Sequence, residues 1–167
     1  MGAIFIQLSL LVKLAGSIVW IFVGFAVSRE INNYENKKLT QTDAFITLIN
    51  HIKLNIDCYA LPVPSILQSC DRGLICDCGG ENAPMSGISE FINGCDICLD
   101  ANIYAVLTSF ADSLGKGYRE SEIRLCDLCI SELSAYKNGL LEKLGKSKKL
   151  CTTICLCIFC AVLLIIV

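Results

Sequence analysis

Cysteine is the residue type in this chain best placed to do chemistry. The 167 residues include 12 cysteines. Cys95 and Cys98 form one C-x-x-C pair, and Cys126 and Cys129 form a second. Zinc takes four thiolates at tetrahedral geometry, and two such knuckles can supply them. Cys76 and Cys78, in a Gly-rich stretch, are a further source of ligands. An even number of cysteines would also suit disulfides in an oxidising compartment. Two features oppose the metal. The gap between the pairs is long, and the second pair falls in a regular helical pattern. Cysteine is also a small buried hydrophobe. Cys151, Cys155, Cys157 and Cys160 sit in an apolar run where no metal role is evident. The expectation is therefore a plain core role. A cysteine-dependent metal-binding or redox membrane protein, through Cys95, Cys98, Cys126 and Cys129, is the alternative.

Other reactive constellations are poor. Gly145-Lys146-Ser147 resembles the end of a phosphate-binding loop, but that loop needs a glycine where Leu140 stands, and a preceding strand. His51 is the only histidine and has no nucleophile at a useful spacing. The acidic residues are mostly scattered singly, as on solvated helix faces. The one charged cluster is Arg119, Glu120, Glu122, Arg124 and Asp127. It fits either a salt-bridged helix surface or a face that docks a partner. No catalytic residue, cofactor or small-molecule substrate is expected. The net charge of −2 gives no nucleic-acid footprint.

The elements that must carry these residues begin with two apolar runs, Ala3 to Val27 and Leu150 to Val167. They raise the hydrophobic content to 54% and the mean hydropathy to +0.59. A helix over residues 150–167 is roughly 27 Å long, close to the hydrocarbon thickness of a bilayer. The first run contains Lys13, whose stem can snorkel in a tilted helix. A signal peptide is a rival for this run, with Ala26-Val27-Ser28 as a weak cleavage site. The basic residues favour a membrane anchor. Arg29, Lys37 and Lys38 follow the first run, and Lys143, Lys146, Lys148 and Lys149 precede the second. The positive-inside rule puts the middle in the cytoplasm, where its thiols stay reduced. The expected organisation is a transmembrane helix over 1–28, a cytoplasmic helical domain over 29–149 and a transmembrane helix over 150–167.

Helical periodicity fills the middle. Asn32 to Lys38 is a linker or a helix continuation, and Thr40 or Thr42 can cap a helix carrying Phe45, Leu48, Ile49, Ile52 and Ile56 on one face. Leu61-Pro62-Val63-Pro64 breaks it, and Pro64 or Ser65 can open a short helix ending near Gly73. Cys76 to Pro84 is loop-like. Ser86 to Cys98 predicts a short helix. Asp100 can cap a longer one that stops at Gly115. From Arg119 the pattern runs helical into the second apolar segment. The expected fold is all-α, a compact antiparallel helical bundle flanked by the two transmembrane helices.

Four features together resemble the stage III sporulation protein AB family. They are the first apolar run ending Gly24-Phe25-Ala26-Val27-Ser28-Arg29, and the segment Leu61-Pro62-Val63-Pro64-Ser65-Ile66-Leu67. The third is Phe110 to Glu120 followed by Ile123-Arg124-Leu125-Cys126-Asp127, and the fourth is the basic approach to the C-terminal run. That family often carries Gln near the position of Glu122, and its members lack the Cys76 to Glu81 pattern. The resemblance implies a domain related to those of type II secretion and type IV pilus inner-membrane platform proteins. It implies a non-catalytic membrane subunit of the sporulation channel complex between mother cell and forespore, on the mother-cell side. The implied partners are other channel proteins, including a cytoplasmic secretion-type ATPase. The expected docking residues are Tyr118, Arg119, Glu120 and Arg124.

Overall fold

A computed structural model describes the backbone over residues 2–59 and 61–166, with side chains described chiefly over 33–58 and 61–146. The described residues form six helices and no strands. These are α1 (Gly2–Tyr59), α2 (Val63–Ser69), α3 (Arg72–Asp77), α4 (Ile88–Gly94), α5 (Ala101–Ser113) and α6 (Arg119–Ile166). The chain divides into two compact units, one of residues Asn36–Leu141 and one of Met1–Glu35 with Glu142–Val167. The first lies inside the 29–149 interval expected for the cytoplasmic domain. The two expected spans fall in the other unit, mostly on side chains outside the described residues. Among the described residues no helix is long and apolar enough to cross a membrane.

In the 36–141 unit the apolar stripe of α1 is buried as its spacing predicts: Phe45, Leu48, Ile49 and Ile52 are at most 1% exposed. Ile66 and Leu67 of α2, Phe91 and Ile92 of α4, and Leu107 and Phe110 of α5 complete the core with Leu133 of α6. Burying each such side chain contributes about 1.5–3 kcal/mol. Two ion pairs fix how α1 and α6 run past each other. Asp43 meets Lys137 at 2.6 Å, and Lys53 meets Asp127. Moving up α1 from 43 to 53 moves down α6 from 137 to 127, so the helices are antiparallel in this unit.

Several boundaries differ from expectation, each for a local reason. Neither Thr40 nor Thr42 starts a helix, because α1 is continuous through them. The Thr42 hydroxyl instead donates to the Lys38 carbonyl at 2.7 Å, one turn back. The helix opened by the prolines ends at Ser69, with Pro64 in its first turn, where a missing N–H costs nothing. Asp71 then caps α3 by accepting from the Gly73 amide at 3.2 Å. The helix expected over Ser86 to Cys98 is only Ile88–Gly94. Asp100 does precede α5, but its side chain makes no cap. Its carboxylate accepts from the Lys38 ammonium at 2.7 Å instead, tying α5 to α1.

Candidate functional site

The segment expected to dock a partner is a turn between α5 and α6. Gly115 ends α5 with φ +86, a left-handed conformation that glycine adopts without strain. Glu122, in the first turn of α6, is only 6% exposed. Its carboxylate accepts from the Gly115 amide at 2.9 Å and the Gly117 amide at 2.6 Å. A charged acceptor shared by two backbone donors is a strong local clasp. The turn is therefore held in one shape from inside.

The clasp divides the charged cluster. Arg119 donates from Nη2 to the Asp57 carboxylate at 2.6 Å and also to the Asp57 carbonyl. Asp127 is taken by Lys53. Three of the cluster's charges thus serve the fold. Glu120 and Arg124 remain exposed, and among the described residues no ion pair joins them to each other or to anything else. Tyr118 is 87% exposed at the tip. Of the four expected docking residues, Tyr118, Glu120 and Arg124 are free to meet a partner, and Arg119 is committed to α1.

The same turn borders an open groove of about 620 Å³. The Leu61-Pro62-Val63-Pro64 segment forms one wall, Gly115, Gly117 and Arg119 line another, and Ser86 to Glu90 at the start of α4 closes it. Ile56, Ile88 and Leu114 make its surface apolar. Two stretches singled out separately in the sequence, the proline segment and the Gly115 turn, are thus neighbours in space. Periodicity gave no sign of this, since more than fifty residues separate them.

No family model, curated protein or solved structure matches this chain.

The cysteines are placed differently from a zinc site. All eight over residues 58–129 are free. Among the described residues no group of three or more His, Cys, Asp or Glu could hold a metal. Cys126 and Cys129 are buried on α6 at 0% and 2% exposure. Burial pushes the Cys126 thiol up to about 11 and the Cys129 thiol to about 12. Cys95 faces the interior near Gly80 and is pushed to about 12, again by burial. Cys78 is raised further by the same cause. With no metal bound, these surroundings favour the protonated thiols. The Cys98 thiol donates to the Gln41 side-chain oxygen at 3.0 Å.

Gln41 is the polar residue that sequence reasoning missed. It is 3% exposed, and its amide nitrogen donates to the Cys78 carbonyl at 3.0 Å and the Asp96 carbonyl at 2.8 Å. Its oxygen accepts from the Cys98 amide at 2.9 Å. One α1 side chain thereby satisfies the irregular backbone on both sides of α4. No spacing rule reveals it, because its partners lie 37 to 57 residues away.

Proposed function

We propose that this chain is a non-catalytic membrane platform subunit that docks a cytoplasmic secretion-type ATPase, as in the sporulation channel between mother cell and forespore. The family assignment rests on the resemblance of its four segments to stage III sporulation protein AB. The observation that carries the docking reading is the Gly115 to Arg124 turn. It is clamped from inside by Glu122 and presents Tyr118, Glu120 and Arg124 outward. An exposed Tyr on a turn of fixed backbone, with an Arg in the same segment that has no internal partner, is a composition favoured at protein contacts. In this proposal the 36–141 unit is an antiparallel bundle in the cytoplasm. Residues 1–28 and 150–167 are its membrane anchors, in the mother-cell side of the forespore envelope.

The test has two arms. In a chain with Asn138→Cys, an exposed position on α6, and with the exposed Cys58 and Cys76 replaced by Ser, a thiol-reactive probe labels residue 138 only after the membrane is permeabilised. The detergent-solubilised chain co-purifies with the secretion-type ATPase of the same host. Labelling of the Asn138→Cys variant in intact cells sinks the topology, and a chain that purifies without the ATPase sinks the docking.

A further inference from the structure

We propose that the groove beside the Gly115 turn binds a short segment of the partner protein that combines an apolar side chain with a lysine or arginine. The partner's identity rests on the docking reading above, whereas the chemistry rests on the groove alone.

The floor sets the first requirement. Ile56, Val63, Ile88 and Leu114 offer apolar surface, and Leu61 at the lip is 40% exposed. An open cleft of about 620 Å³ is in the size range of ligand sites. Apolar anchors entering such a groove are a recurring mode of peptide recognition.

The charges set the second requirement. Three ionised groups line the groove: Arg119, Glu122 and Glu90. Arg119 is neutralised by Asp57, and Glu122 is spent on two turn amides. Glu90 receives only a hydroxyl hydrogen bond, from Ser86. Asp112 on α5 is reached through Ser89, a groove residue whose hydroxyl donates to it at 2.9 Å. Among the described residues neither Glu90 nor Asp112 has a cationic partner. Glu90 is therefore the charge that lines the groove without a counter-ion, and a cation on the bound segment would complement it; Lys116, between the two lining glycines, is exposed and does not line the groove. An acidic or purely apolar segment would leave both carboxylates unmatched.

The test uses the full-length chain in non-ionic detergent and two labelled short peptides followed by fluorescence anisotropy. One peptide mixes leucine with arginine, and the other has glutamate in place of arginine. The arginine peptide is expected to bind saturably, at least about tenfold tighter than its acidic counterpart, and more weakly as salt rises. Glu90→Arg with Asp112→Arg should invert that preference. Gly87→Trp should block the groove. A Cβ at Gly87 meets nothing within 4 Å, and its φ of −168 is extended backbone open to any residue, so the backbone there accepts a side chain, and circular dichroism checks that the larger indole leaves the fold intact. Equal affinity for the two peptides overturns the proposal. So does binding that persists in Gly87→Trp with unchanged circular dichroism. A dimer of the native chain that Gly87→Trp dissolves would assign the groove to a second copy, and also overturns it. Tyr118 and Arg124 do not line the groove, so changing them should leave peptide binding intact. If peptide recognition holds while their loss leaves sporulation normal, the docking reading falls and the groove stands. If peptide recognition fails while their loss blocks sporulation, the groove falls and the docking reading stands.

Discussion

Two buried polar side chains, Gln41 and Glu122, organise the irregular parts of the 36–141 unit. Gln41 makes two donations and two acceptances inside the core. Gln41→Ala should strand the Cys78 and Asp96 carbonyls and the Cys98 amide, and cost about 3 kcal/mol in chemical unfolding. A loss below about 1 kcal/mol would mean that water replaces the side chain. Glu122→Gln keeps one acceptor oxygen for the turn amides. It should be milder than Glu122→Ala, which should expose residues 115–118 to limited proteolysis. Similar proteolysis of both variants would count against the clasp. The thiols are the third residue-level device. Cys95, Cys126 and Cys129 have folded values of about 12, 11 and 12 against an ordinary 9.0, all chiefly through burial. The fold therefore favours their protonated form. Their contribution to stability is complete below pH 9 and is lost as pH rises through 11 to 12. At pH 8 the exposed Cys58 and Cys76 should react with an alkylating reagent while these three stay protected, as peptide mass mapping would show. Rapid native-state labelling of Cys126, or unfolding on treatment with a chelator, would favour the metal-binding alternative.

At the scale of elements, regular faces were legible and their interruptions were not. The stripe from Phe45 to Ile56 and the stripe from Ile103 to Phe110 announce themselves because helical spacing is local. The Asn32 to Lys38 stretch could be read as linker or helix, since polar residues fit both. Its continuity within α1 goes with partners elsewhere in the fold: Lys38 reaches Asp100 and Gln41 reaches Cys98. The same long-range bonds hold Cys95 to Leu99 out of α4, which shortened the helix expected there. Two turn glycines allow a sharper test. Both Gly79 and Gly115 have left-handed φ, of 84 and 86. A Cβ at Gly79 would stand 2.5 Å from the Asp96 carbonyl oxygen and 2.9 Å from the Gln41 amide, whereas one at Gly115 meets nothing within 4 Å. Gly115→Ala should cost only the backbone strain, about 1–2 kcal/mol. Gly79→Ala should cost more, because backbone must also move. Equal melting temperatures for the two variants would show that the Gly79 loop is not locked as described.

For the whole molecule, the sequence carried its helical class and its candidate turn. It did not carry the meeting of the proline segment with that turn, because such proximity is a property of packing. Nor did it show which charges in the cluster are internal: Arg119 and Asp127 look as free as Arg124 until their α1 partners are known. That distinction decides how the central claim is tested. Reversing Arg119 would break its pair with Asp57 and confuse folding with docking. Tyr118→Ala with Arg124→Glu leaves every described ion pair in place, and exposed substitutions of this kind change stability by about 0.5 kcal/mol or less. The decisive measurement is spore formation in a host whose own copy is replaced by this double variant, with protein level and ATPase co-purification followed together. Normal protein level with loss of both spores and the co-purifying ATPase is the predicted result. Normal sporulation at normal protein level would contradict the account.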